Sequence, residues 1–499
     1  MNNRNGNGTH SLSRRSFLKS AGAAVAAAPL AVNKAHAAPS KRNIVFVLID
    51  DLRFDTLSFM GHPHAKTPNI DRLAREGVHF ENAFVTTSLC SPSRASILTG
   101  LYAHKHQILN NSTLLSRDVT TFPKLLQQNG YATGFTGKWH MGGERDDPRP
   151  GFDFWASFKG QGNYYNQKFN VDGTYVETEG HISDRITDFS VDFIKKNKAK
   201  PFMLYMSHKA VHADFYPAER HRGKYADAIP PQPVSYADTA ENYRGKPQWV
   251  KNQRNSWHGV DGMYNHRYDF TKFYRGYLET VLSVDESIGR LMQTLEDEGV
   301  ADNTLIIFMG DNGFLFGEHG LIDKRCMYEP SIRVPMIAWC PSLTKGNVKR
   351  SEMVLNIDIA PTILEAAGIE PPSSMHGASF LPLIQNRDTS WRTEFLYEYF
   401  WERAFPQTPS VLGLRTDQYS YMRYHGVWDL YELYDIQKDP DQMNNLLDGV
   451  KQTTEAGNQL NLIRGTELYD FVMDLQGRMF DILEKTGGRT EPTWLQVRS

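Results

Sequence analysis

Two apolar runs in this chain end abruptly in side chains that bind cations. Residues 43–49, Asn-Ile-Val-Phe-Val-Leu-Ile, lead into Asp50-Asp51, and Thr304 to Met309 leads into Gly310-Asp311-Asn312. Adjacent carboxylates repel one another, and a cation is the usual relief; four oxygen donors at two strand ends suit a hard ion, Ca2+ or Mg2+. Taken alone, each pair could equally cap a helix or a turn. A second cluster, Cys90-Ser91-Pro92-Ser93-Arg94, opens the helix-compatible segment Ala95 to Gly100, with Pro92 suited to a first turn. Amides at a helix start favour anions and lower a thiol pKa, and Arg94 can meet an oxyanion with two N–H groups, so the cluster reads as a thiolate or an anion site. The step from Cys to Arg is too short for a cysteine-phosphatase loop. Gly137-Lys138-Trp139-His140, the pair His208 and His212, and Lys324 add cations and proton carriers downstream.

The elements that must position these groups alternate along the chain. The 43–49 run, Tyr131 to Thr136, residues 201–207 and Thr304 to Met309 read as strands, the first of the kind buried on both faces. Helices are expected over 69–76, 121–129 and 270–298, the last from Phe273, Tyr277, Val281, Val284, Ile288, Leu291 and Leu295 at steps of three and four, with Gly299 as its stop. Alternation of this kind predicts an α/β fold with a mostly parallel sheet, whose ligand edge lies at the strand ends. Residues 213–268 break the rhythm and read either as a long surface insertion near the site that sets substrate choice, with Tyr225, Tyr236, Trp249, Arg254 and Trp257 as candidate contacts, or equally as a packing flap. Short aromatic runs over 391–435 predict a small antiparallel sheet. The expected division is a signal over 1–37, a catalytic domain over 38–390 and a C-terminal subdomain over 391–499.

The chain has 499 residues, with 55 Lys+Arg against 57 Asp+Glu and a net charge of −2, which argues against general nucleic-acid binding. Arg14-Arg15 with Phe17-Leu18, the small apolar run Ala21 to Val32 and Ala35-His36-Ala37 read as a twin-arginine export signal. Cleavage after Ala37 removes five basic residues and no acids, leaving a mature net charge of −7. No other long apolar run occurs, so no membrane span is expected after cleavage, and the expected location is the periplasm or the medium. Cys90, Cys326 and Cys340 are too few for a disulfide scaffold; the last two read as buried thiols.

The stretch Cys90-Ser91-Pro92-Ser93-Arg94-Ala95-Ser96-Ile97-Leu98-Thr99-Gly100 resembles the active-site motif of the type I sulfatases of the alkaline phosphatase superfamily. Further matches follow in family order. They are Asp50-Asp51, Thr67-Pro68-Asn69, Gly137-Lys138-Trp139-His140, Asp311-Asn312-Gly313, Gly317-Glu318-His319-Gly320, Lys324, Arg333-Val334-Pro335 and Glu432-Leu433-Tyr434-Asp435. The resemblance spans roughly residues 42 to 447. It implies an alkaline-phosphatase-like α/β/α sandwich with a smaller C-terminal subdomain. It also implies that Cys90 is oxidised to formylglycine, and that Asp50, Asp51, Asp311 and Asn312 bind Ca2+ together with the modified Cys90. Arg94 would steady the modified residue and the metal, and Lys138 and His140 would flank it. His212 would protonate the leaving alcohol, and Lys324 would contact the sulfate, so that Lys138, His212 and Lys324 form the substrate-binding set. The residue before His212 is Val211 where the family usually has Pro, and His208 competes for the same role.

The partners implied are a sulfated carbohydrate, a formylglycine-generating or anaerobic sulfatase-maturating enzyme, and the twin-arginine machinery. Residues 151–173, with Gly151-Phe152-Asp153-Phe154-Trp155 and Tyr164-Tyr165-Asn166, are similar to the corresponding region of glucosamine-6-sulfatase-like glycan sulfatases. The rival expectations are a phosphonate monoester or phosphodiester hydrolase of the same superfamily and a glycan-binding protein without catalysis. Trp139 is expected to pack, His181 and His221 to be structural, and His319 to be as ready to pack as to line the site.

Overall fold

The computed structural model describes residues 41–425, 431–449 and 466–489. The export signal expected over 1–37 lies outside the described residues. The central element is a ten-stranded mixed sheet. From one edge its strands are Val348–Arg350, Val78–Phe80, Met336–Trp339, Thr304–Gly310, Asn43–Ile49, Phe202–His208, Ala132–Lys138, Phe154–Phe158, Lys168–Val171 and Thr174–Glu177. The five central strands, from Thr304–Gly310 to Phe154–Phe158, are parallel. Met336–Trp339 runs antiparallel beside them, and Phe154–Phe158 continues into an antiparallel meander through Lys168–Val171 and Thr174–Glu177.

Alternation along the Asn43–Ile49 strand explains the layering. Val45, Val47 and Ile49 enter one apolar core, which includes residues of the Ile182–Asn197 and Phe270–Asp297 helices. Ile44, Phe46 and Leu48 enter the other, which includes residues of the Cys90–Thr99, Phe122–Gln128 and Ile359–Ala366 helices. A strand covered on both faces must be apolar throughout, and each such side chain contributes about 1.5–3 kcal/mol on burial. The Cys90–Thr99 helix is unusual in being buried over its whole length. Gly100 ends it in the left-handed conformation, with its N–H on the Ser96 carbonyl.

A separate four-stranded antiparallel sheet orders Glu394–Tyr399, Ser410–Thr416, Tyr419–His425 and Glu432–Asp435. The Glu467–Lys485 helix shares an apolar core with it, and Phe84, Leu89, Leu315 and Tyr328 of the preceding region belong to the same core. The aromatic runs marked three of these strands; Ser410–Thr416, centred on Gly413, carried no such run. The helices and strands expected beside the site all form, within two residues of the expected ends.

Candidate active site

Register places the chemistry. Ile49 lies opposite both Gly310 and His208, so three parallel strands deliver Asp50, Asp311 and the loop after His208 to one edge. Backbone bonds lock the three exits together. Asp311 N–H donates to the Ile49 carbonyl at 2.9 Å, Asp50 N–H to the Ala210 carbonyl at 3.2 Å, and Val211 N–H to the Asp50 carbonyl at 2.8 Å. The next strand, Ala132–Lys138, ends in Lys138, and the Cys90–Thr99 helix begins over the same edge.

There Cys90 Sγ lies 3.4 Å from Asp50 Oδ1 and 3.9 Å from Lys138 Nζ. Lys138 pairs with Asp50 Oδ2 and donates to Gln161 Oε1 at 2.5 Å. Lys324 pairs with Asp51 Oδ1, to which Asn312 Nδ2 also donates at 2.7 Å. His212 Nε2 stands 3.8 Å from Asp51 Oδ2, while its Nδ1 is bonded to the Ala213 carbonyl, which leaves Nε2 facing the acids. Tyr277 Oη donates to the Asp51 carbonyl at 3.1 Å, so the long helix braces this corner from behind. His140 takes a left-handed backbone (φ 61°) that turns the chain back, with Ser91 Oγ on its carbonyl at 2.6 Å.

Charge shapes these groups. Burial opposes ionisation of Asp50, but the cations Lys138, Arg94 and Lys324 together hold its carboxyl well below the usual range. Burial raises Asp51 in spite of Lys324, and burial with Asp50 beside it pushes Asp311 up to about 7. Burial and then Lys138 keep His140 and His212 well below the usual imidazole value, hence neutral. The sequence expectation of an acidified thiol does not hold for Cys90. Its burial, with Asp50 adding, raises the thiol well above its ordinary value and outweighs the helix start.

The acidic corner fits a hard cation. Carboxylate oxygens of Asp50, Asp51 and Asp311 lie within 4.8 Å of one another, and a second such group joins Asp50, Cys90 and His212. Asp51 Oδ2 and Asn312 Oδ1 are buried without a hydrogen-bond donor, the condition in which an acceptor costs most unless an ion takes it.

The expected catalytic and metal-binding residues converge here, and the competing His208 does not. His208 turns into the core, its Nε2 3.1 Å from Ser287 Oγ of the long helix. Trp139 packs with Phe135 and Trp155, and His319 lies buried against the Tyr328 ring at 4.2 Å. His181 caps the Ile182–Asn197 helix and His221 faces Glu286. The insertion residues do not form a sugar platform. Tyr225 and Trp249 are buried in the cores, and Trp257 packs on Tyr264. Arg254 pairs with Asp261 at 2.6 Å and lies against Tyr236. One residue at the site carried no sequence signal, Gln161, because it lies in a loop where no spacing or motif distinguishes it.

Comparison with known proteins decides the family. The sulfatase family model matches residues 42–369. The chain belongs to the sulfatase family. Its members hydrolyse sulfuric esters, and this sulfatase is a hydrolase of that kind. A second model, N-sulphoglucosamine sulphohydrolase, C-terminal, matches residues 317–463. The N-acetylglucosamine-6-O-sulfatase of Bacteroides thetaiotaomicron is 34% identical over 85% of this chain and 86% of its own length. The N-acetylglucosamine-6-sulfatase of Capra hircus is 29% identical over 84% and 82%. A protein solved in complex with its substrate D-glucosamine-2-N,6-O-disulfate superposes with a TM-score of 0.78 at 31% identity, covering 90% of this sulfatase and 98% of that chain. Among the described residues, no helix is long and apolar enough to cross a membrane.

Proposed function

We propose that this sulfatase removes sulfate from an amino-sugar glycan or its fragments, at the 6-oxygen of glucosamine. The observation that carries this is the 34% identity, across 85% of the chain, to an N-acetylglucosamine-6-O-sulfatase. The likeness to a protein bound to a glucosamine disulfate supports it. In this reading Cys90 is converted to formylglycine by a formylglycine-generating or anaerobic maturating enzyme, and the protein is exported by its twin-arginine signal to the periplasm or beyond.

Asp50, Asp51, Asp311 and Asn312, with the modified Cys90, would hold Ca2+, and Mg2+ is the alternative; such an ion offsets negative charge on the sulfuryl group. Formylglycine supplies the nucleophilic oxygen. The chain's own residues do the rest. Lys138, paired with Asp50, and Lys324, paired with Asp51, present ammonium groups to the sulfuryl oxygens that gain charge in the transition state. Arg94 fixes Asp311, the carboxylate placed to take the proton of the attacking group. His212, held by its Nδ1, presents Nε2 to the leaving oxygen, and the negative ester beside it restores the basicity that burial removes. His140, neutral and next to the helix start, is the base for releasing sulfate.

The test is sulfate release, followed by ion chromatography, from glucosamine 6-sulfate, a galactose 6-sulfate control and the matched glucosamine 6-phosphate. Preference for the first supports the assignment. Faster release of phosphate would move the protein to the phosphoester side of the superfamily.

A further inference from the structure

Three lysines approach the acids of the site, and they are not equivalent. Lys138 is paired with Asp50 and Lys324 with Asp51. Lys209 has neither an ion pair nor a side-chain hydrogen bond to any described residue, although it is only 4% exposed. It directly follows His208 in the loop that carries His212, and its carbonyl accepts the His212 N–H at 3.0 Å. Its ammonium rests 4.6 Å from the centre of the Tyr164 ring, and the Tyr164 hydroxyl donates to the His212 carbonyl at 2.7 Å. The charges it feels are those of the site: Lys138 opposes it, and Asp50, Asp51 and Asp214 favour it.

An ammonium that has lost most of its water and gained no counter-ion is left poorly compensated. The cation–π contact with Tyr164 returns only part of that loss. Packing against Tyr164 needs only the methylene stem, which Met or Leu would supply without the penalty. The charge therefore answers to an anion that arrives with the substrate.

We infer that Lys209 is a substrate-binding residue whose ammonium takes an oxyanion of the bound ester, set against Tyr164 so that its position is fixed before binding. The inference rests on the proposed sulfatase reading and extends its binding set beyond Lys138, His212 and Lys324. Two groups offer the same chemistry: the sulfate being cleaved, and a second sulfate on the same sugar.

The experiment compares wild type, K209M and K209R as matured full-length enzymes on glucosamine 6-sulfate and D-glucosamine-2-N,6-O-disulfate. A melting curve for each variant verifies folding. Loss of one charge-assisted contact lowers kcat/KM about ten- to hundredfold in K209M, with a raised KM and substantial recovery in K209R. Equal loss on both substrates assigns the contact to the cleaved sulfate; a larger loss on the disulfate assigns it to the second. In parallel, inorganic sulfate raises the melting temperature of the wild type, and K209M reduces this shift. This arm needs no turnover, so it still reads Lys209 if neither sugar proves to be a substrate. Unchanged KM and sulfate shift in K209M would overturn the inference. So would equal losses in K209M and K209R accompanied by a lowered melting temperature, which mark a packing role.

Discussion

Arg94 grips a single oxygen of Asp311 at two points, Nε at 3.0 Å and Nη2 at 2.8 Å from Oδ2. The other oxygen, Oδ1, accepts the Asp51 N–H at 3.0 Å. The remaining guanidinium nitrogen donates to the Lys138 carbonyl at 2.8 Å and to Ser207 Oγ at 2.6 Å. One buried side chain thus ties together the ends of three strands. R94A leaves Asp311 and Asp50 buried without their guanidinium, and unfolding by denaturant should show a loss of about 3–5 kcal/mol. R94K keeps the charge but not the fork, so it should recover part of the stability and little of the activity.

Gly137 sits just before Lys138 with φ +106°, and a Cβ there would lie 1.8 Å from the Ser207 carbonyl oxygen. That oxygen belongs to the adjacent parallel strand and cannot retreat without breaking the ladder. G137A should therefore separate the two strands that present Lys138 and the His212 loop. The expected result is loss of more than about 3 kcal/mol in denaturant unfolding, with hydrolysis falling at least as far as the folded fraction.

Metal dependence should appear in stability before it appears in rate. Asp51 Oδ2 and Asn312 Oδ1 are buried acceptors without donors. Ca2+ at a hundredfold excess over its dissociation constant should stabilise the fold by about 2.7 kcal/mol, seen as a raised melting temperature that a chelator reverses. In D51N one of the three clustered carboxylates is neutral, and the calcium-induced shift should shrink or vanish. A chelator-insensitive melt in the wild type would count against an ion at this corner.

A pH effect is expected away from the site. Asp285 on the long helix accepts the Asn69 and Ile70 N–H groups at 2.9 Å each, holding the start of the Pro68–Glu76 helix. Burial raises its carboxyl to about 6 despite those bonds. The folded protein then binds more protons than the unfolded chain between pH about 4 and 6, so this group's contribution to stability is largest below pH 4 and declines as pH rises through 6. The decline is worth about 2–3 kcal/mol by the size of the shift. Chemical unfolding of D285N at pH 4 and pH 7 should show that part of the slope removed.

What was legible in the sequence was whatever a strand end or a local motif announces. Asp50-Asp51 and Asp311-Asn312 could be read because apolar runs stop at them, and Cys90 to Arg94 because their spacing is distinctive. Lys209 and Gln161 could not, since a loop residue acquires its role only from the strands that carry it to the site. Choosing between His208 and His212 needed the register, because two histidines four apart give no sign of which leaves the sheet toward the acids. The Cys90 thiol was misjudged for an energetic reason: complete burial beside a carboxylate outweighs a favourable helix start. Tyr225, Trp249 and Arg254 show the same lesson at the surface, where aromatic and basic composition could not distinguish a ligand wall from a packed flap. The Phe154–Glu177 meander lacks the continuous apolar pattern of the parallel strands, its last strand being wholly exposed.

The Cys90–Thr99 helix has no accessible face, and Cys90 itself is 0% exposed. A maturating enzyme cannot lay this segment in its own cleft once the helix has been enclosed. On the proposed chemistry, the modification is then in a race with folding, and each chain keeps whichever outcome came first. Two preparations of the same sequence can be equally well folded, yet differ several-fold in specific activity. The ratio of synthesis rate to maturase supply would set that difference, recorded permanently in each molecule at its first folding.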